Sequence, residues 1–236
     1  MLINMKRTIV LTTLLLAHIF VHAQQTTTAV GTTKAWGKVD GVTIEGLVQG
    51  PSATVADLQI ACVFEYTEGD IFNAPPALPA ALNGMVHLDE ATNGLITEIR
   101  KSGQFAGHAL ETILITPPAG KIKAKKLLLI GLGDRNQFAP GLMTKVGSVA
   151  MREALSLNVA SLSFASDLKD AGIDSPTALV AENVTKGMLQ AYKVAEYLKD
   201  KHYATFKPLS KVILLAGPSF FTVAGQGIET AIQSFQ

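Results

Sequence analysis

The chain has 236 residues, 48% hydrophobic and 17% charged, with 20 basic against 19 acidic side chains. That length holds one large domain or two small ones, and the apolar content suffices for a sizeable core. The near-neutral balance excludes general electrostatic attraction to nucleic acid or to an anionic membrane. The composition likewise excludes a disordered chain.

Residues 1–23 read as a secretory signal. Lys6 and Arg7 make a short positive start, Thr8 to Val21 is largely apolar, and Val21-His22-Ala23 supplies a cleavage site. The apolar run is shorter than the roughly 20 residues a spanning helix needs. Cleavage there leaves 18 basic against 19 acidic residues and an exported protein, periplasmic or extracellular, with no membrane association of its own. The single cysteine, Cys62, sits in an apolar run and reads as a small core residue.

Residues 24–34 are polar and Thr-rich, a flexible lead-in to one domain over 35–236. Ala35 to Gly50, broken by Gly41 and Gly46, reads as a β-hairpin or an early edge strand. Asp57 to Glu65 is a buried-strand pattern. Gly69 to Asn83, with Pro75, Pro76 and Pro79, is a loop or a short irregular helix. One helix is expected over His87–Lys101, then a strand over Thr112–Thr116.

The next stretch organises the rest. Lys121, Lys123, Lys125 and Lys126 lead into Leu127-Leu128-Leu129-Ile130, which ends in the turn Gly131-Leu132-Gly133-Asp134. An apolar run bounded by charge and by glycine reads as a fully buried strand. Alternation puts Lys121, Lys123 and Lys125 on one face, a solvated hairpin edge guarded by lysines. A helix follows over Pro140–Leu157, and a strand over Val159–Phe164. A long helix opens with Ser175 as N-cap and Pro176 at the first helical position. Its apolar face is Val180, Val184, Met188, Ala191, Ala195 and Leu198. A strand over Lys211–Ala216 and a helix over Thr222–Phe235 close the chain. Strands alternating with helices predict an α/β fold with a mixed, mostly parallel sheet.

The wording of these elements resembles the N-terminal domain of the leucyl aminopeptidase family, the M17 metallopeptidases. The pieces that carry the resemblance are DLQIACVFE, Phe105-Ala106-Gly107, ETILITPP, KKLLLIGLGDRNQF, APGLMTKVGSVAMREAL and GMLQAYKVAEYLKDK, in that order from Asp57 onward. The resemblance implies a macro-domain-like, three-layer α/β/α sandwich. It also implies a last helix that serves as the connector to a catalytic domain in the family. The family's metal-binding and catalytic tract, Asn-Thr-Asp-Ala-Glu-Gly-Arg, has no counterpart among these residues.

The residues themselves point the same way. His87, His108 and His202 are widely separated, and no HExxH, CxxC or carboxylate–histidine cluster appears. No G-x-S-x-G exists, and Cys62 has no nearby histidine. We therefore expect no catalytic residues, no metal and no cofactor. Gly131, Leu132, Gly133 and Asp134 are the candidate ligand-binding residues, because glycine-loop amides at a strand end meet phosphate in macro-like folds. The expected work is binding or assembly, by self-association or with a separately encoded partner protein. Two other readings remain open: part of a metal-dependent leucyl aminopeptidase, and a module for a nucleotide or ADP-ribose-type small molecule.

Overall fold

The structure, a computed structural model, describes residues 27–69 and 78–236. The expected signal over 1–23 and part of the proline-rich loop lie outside the described residues.

Among the described residues, seven strands form one sheet: β1 (Thr33–Val39), β2 (Val42–Leu47), β3 (Leu58–Val63), β4 (Thr112–Ile115), β5 (Lys126–Gly131), β6 (Ser161–Ala165) and β7 (Lys211–Leu215). Their order is β1-β2-β7-β6-β3-β5-β4. The inner pairs β2–β7, β7–β6, β6–β3 and β3–β5 are parallel. Only the outer pairs β1–β2 and β4–β5 are antiparallel. The sheet is mixed and mostly parallel, as expected, and β1–β2 is the expected hairpin.

Five α-helices among the described residues cover it: α1 (Gly84–Ala91), α2 (Leu95–Lys101), α3 (Leu142–Ser156), α4 (Thr177–Asp200) and α5 (Phe221–Gln233). Side chains alternate across a strand, so β3 and β5 each feed two cores. On one face Leu58, Ile60, Leu128 and Ile130 pack with Met143, Val146, Met188 and Ile228 of α3, α4 and α5. On the other, Ala61, Val63, Leu127 and Leu129 pack with Met85, Leu88, Ile96 and Ile99 of α1 and α2. Both faces of the central strands are therefore buried, which explains their continuous apolar runs. The result is the three-layer α/β/α sandwich.

The α3–α4–α5 layer is unusually close. A Cβ on Gly187 of α4 would meet the Thr144 carbonyl of α3, one on Gly147 of α3 the Val184 carbonyl, and one on Gly227 of α5 the Ala178 carbonyl. The helices touch backbone to backbone, and the Ser148 hydroxyl donates to the Gly187 carbonyl at 3.0 Å.

Several local expectations are corrected. The single helix over His87–Lys101 is two helices, because Asn93 (φ 60°) and Gly94 (φ 78°) take the left-handed conformation between them. Buried Asp89 holds the second helix in place, accepting from the Thr97 amide and hydroxyl. Ser175 is not the N-cap of α4. Pro176 occupies that position and no side chain caps the helix. Leu198 is 38% exposed, and the buried face continues instead through Leu189 and Tyr192. β1 starts at Thr33, inside the stretch read as lead-in, and the Thr28 amide already bonds the Pro218 carbonyl at 3.0 Å. The lysine segment does alternate, with Ile122 and Ala124 buried between exposed lysines, but it joins β4 to β5 and the sheet edge is β4.

Candidate functional site

At the carboxyl end of β5, the Gly131 amide donates to the Glu111 carbonyl at 2.8 Å. The Leu132 amide donates to the Val63 carbonyl at 2.8 Å, and the Gly133 amide to the Gly107 carbonyl at 2.9 Å. A Cβ on Gly131 would collide with the backbone of Gly107 and His108. The Asp134 carboxylate accepts from the Asn136 amide at 2.9 Å and from Gln137 Nε2 at 3.2 Å. The glycines of this turn thus let residues 107–111 lie directly on the sheet; the Gly131 and Gly133 amides are spent on that join and the Leu132 amide on β3. A phosphate here would have to displace them.

The titratable groups gather elsewhere, in the loop between β6 and α4. Asp167, 8% exposed and with φ at 53°, accepts from the Cys62 amide at 3.2 Å through Oδ2. Asp170 Oδ2 accepts from the Gly84 and Met85 amides at 3.0 and 3.3 Å, at the start of α1. Asn83 completes the join: its Oδ1 caps α1 through the Met85 and Val86 amides, and its Nδ2 donates to the Asp170 carbonyl at 3.0 Å. The two carboxyls interact directly, which favours a proton on Asp167. Burial, and then the charge of Asp170, push Asp167 well above the ordinary carboxyl range. Burial raises Asp170 to about 6. Burial, and then the charge of Asp167, also push the Cys62 thiol up. A buried thiol held protonated is no nucleophile, which agrees with its reading as a core residue. A void of about 20 Å³ beside Cys62, Asp167 and Asp170 has room for one water.

Next to this pair lies a cleft of about 370 Å³ at the carboxyl ends of β2, β7 and β6. This is where an open α/β sheet places its ligands, and the volume falls in the range of roughly 300–1,000 Å³ of small-molecule sites. One wall is the start of α1, with Gly84 and His87. The opposite wall is α4 and α5, with Val180, Val184, Ala224 and Ile228. The loop after β6 forms the floor, bringing Ser166, Asp167, Lys169 and Asp170. None of these polar residues was singled out from the sequence as a ligand group. The available signal was the acidic pair at i, i+3 just beyond a buried strand.

The other candidates are dispersed. His87 lies on α1, His202 follows α4, and His108 pairs with Glu65 at 2.7 Å on the surface, which raises its pKa. Among the described residues no group of three His, Cys, Asp or Glu side chains is placed to hold a metal. Lys125 bonds Asp57 at 2.6 Å and Lys121 bonds Asn93 at 3.1 Å, so two of the four clustered lysines serve local contacts. Asn183 lies within α4 and donates to the Pro140 carbonyl at 2.9 Å. Among the described residues no helix is long and apolar enough to cross a membrane.

The sheet order, the three layers and a cleft at the strand ends define a macro-domain-like α/β protein. An Oceanobacillus iheyensis macrodomain solved with ADP superposes with a TM-score of 0.53 at 14% identity, over 86% of this chain and 98% of its own. A tomato leucine aminopeptidase mutant superposes with a TM-score of 0.56 at 18% identity, over 83% of this chain and 36% of its own. At these identities the likeness shows the fold alone. Sequence narrows it: the model of the cytosol aminopeptidase family, N-terminal domain, matches residues 71–201, and the chain belongs to that family. A probable cytosol aminopeptidase of Roseiflexus castenholzii is 29% identical over 143 residues, 59% of this chain and 28% of that protein. One from Burkholderia ambifaria is 33% identical over 94 residues, 40% of this chain and 18% of that protein. The match spans less than a third of either relative.

Proposed function

We propose that this chain is an exported, non-catalytic binding module of the cytosol aminopeptidase N-terminal type, working through the cleft at the ends of β2, β7 and β6. The observation that carries the reading is the cleft itself, a preformed apolar cavity with a few convergent polar groups. Its occupant, a small molecule or a segment of a partner protein, links this chain to self-assembly or to a separately encoded partner. Export rests on the charge and apolar pattern of residues 1–23. A fragment screen followed by amide chemical shifts is expected to move Val48, Ser166, Ala216 and Ala224 and to leave the Gly131–Asp134 turn still. No response from the cleft overturns the binding reading. The purified chain is expected to release no product from an aminoacyl anilide with added zinc or manganese, and robust metal-dependent hydrolysis overturns the non-catalytic part.

A second reading is favoured by the relatives' own names: the chain is the accessory part of a metal-dependent aminopeptidase whose chemistry lies in another segment. Activity that appears only when a separately encoded catalytic domain is added would select it. An ADP-ribose-type ligand, suggested by the macrodomain solved with ADP, is a further arm of the binding experiment. The Asp167–Asp170 pair on the cleft floor opposes a diphosphate there.

A further inference from the structure

The segment leading into α1 is joined to the cleft floor chiefly by polar groups. Ala81, Leu82 and Gly84 of the segment Ala80–Gly84 line the cleft, and Leu82 is 68% exposed. The loop after β6 holds this segment down. Asp170 Oδ2 accepts from the Gly84 and Met85 amides, and Asn83 Nδ2 donates to the Asp170 carbonyl. Gly84 lies so close that a Cβ there would come within 3.0 Å of Asp170 Oδ2 and 2.9 Å of Pro51 Cδ. Beyond this point Met85, Val86 and Leu88 are buried in the core beneath α1 and α2, so only the end at Gly84 has freedom to lift.

Asp170 is not alone there. Asp167, three residues earlier, is buried beside it and fixed by the Cys62 amide of β3. Two carboxyls in contact away from water cannot both ionise without cost, and the charged groups around them have other partners. The Cys62 thiol stays protonated. Arg100 of α2 and Arg135 just after β5 line the same small void, but they donate to the Phe64 and Ala171 carbonyls. Lys169, on the same loop, pairs with Asp174 and with the Ser175 carbonyl. His87 on α1 eases the ionisation of Asp170, less than burial opposes it.

We infer that the start of α1 is a proton-operated latch on the cleft. With Asp170 protonated the Ala80–Gly84 segment stays down, and with Asp170 ionised it lifts from the floor and widens the cleft. Ionisation puts a charge beneath Gly84 that water solvates fully only when the segment moves away. Protonation removes that drive, and the neutral carboxyl still offers an acceptor to the Gly84 amide. Acid therefore narrows the cleft and neutral pH loosens it. The latch works whether or not the cleft takes a ligand, so it and the binding reading can fail separately.

Amide hydrogen exchange on the whole chain at pH 4.5 and 7.5, corrected for the intrinsic rate at each pH, tests this. Asp170 titrates at about 6 in place and at its ordinary 3.8 once exposed. Protection of the Gly84 and Met85 amides is therefore expected to be about 25-fold higher at the lower pH. Both should exchange faster than the Leu128 amide of β5 at either pH, the mark of local opening. Asp170→Asn should abolish the pH dependence, and His87→Gln should keep it. Protection that does not change with pH overturns the latch. So does a dependence that survives in Asp170→Asn or disappears in His87→Gln. Exchange of Gly84 no faster than that of Leu128 means that only global unfolding frees it, and overturns the latch as well.

Discussion

Gly187→Ala isolates the backbone contact between α3 and α4. An added Cβ would lie 2.8 Å from the Thr144 carbonyl carbon and 3.0 Å from the Ser148 nitrogen, and closer still to the Thr144 oxygen. All three are backbone atoms, so no side chain can turn away and the helices must separate. Overpacking of this kind costs about 1–3 kcal/mol. Losing the bond from the Ser148 hydroxyl to the Gly187 carbonyl adds about 1 kcal/mol. Alanine returns about 1 kcal/mol of helix propensity. The net is a destabilisation of about 1–3 kcal/mol, or a fall in melting temperature of about 3–10 °C for a domain of this size. Urea unfolding followed by circular dichroism measures it. Gly141→Ala is the control, since its Cβ would meet nothing within 4 Å and the residue has φ −62°. That change should be neutral. A Gly187→Ala protein as stable as the parent would refute the close-contact argument.

Two further outcomes test the loops at the strand ends. Asp170 has its pKa raised from 3.8 to about 6, so the native state keeps a proton that the unfolded chain releases. Stability from this site is greatest below pH 4 and declines as pH rises to about 6, by about 3 kcal/mol over the window. Asp170→Asn keeps an acceptor for the Gly84 amide and removes that titration. It should be more stable than the parent at pH 7.5 and gain less on going to pH 4.5, as measured by urea midpoints. Identical pH profiles would contradict the raised pKa of Asp170. Gly131→Ala should cost about 2 kcal/mol or more by driving residues 107–108 off the sheet. Unchanged stability would show that the turn is looser than its hydrogen bonds imply.

Element type was readable wherever burial dictates a period. β5 carries four consecutive apolar residues because both faces of it are covered, and α3 repeats its apolar positions because only one face is. The break at Asn93–Gly94 was harder to see, since Leu95, Ile96 and Ile99 fit one helical stripe while two left-handed residues and the buried Asp89 decide the turn. At the N-terminus of α4, Ser175 has the right chemistry for a cap. However, Pro176 occupies the cap position, and the serine turns into the cleft wall instead. The glycine turn after β5 pointed to a ligand for a sound reason. Its amides are consumed by partners distant in sequence, residues 107–111 for Gly131 and Gly133 and Val63 of β3 for Leu132. The acidic pair escaped notice for a related reason. Asp167 and Asp170 resemble solvated loop charges until Cys62 and the start of α1 are folded over them.

The backbone contacts among α3, α4 and α5 also constrain how the cleft can change shape. Where these helices meet through glycine no side chain lies between the backbones to repack, which leaves the wall built from α4 and α5 little freedom to shift. The facing wall, at the start of α1, is tied instead by the bonds of Asp170 and Asn83. The cleft is therefore a clamp with one fixed jaw and one tethered jaw. Any widening to admit a bulkier guest must come from the α1 side, and the Asp170 tether sets how readily it yields.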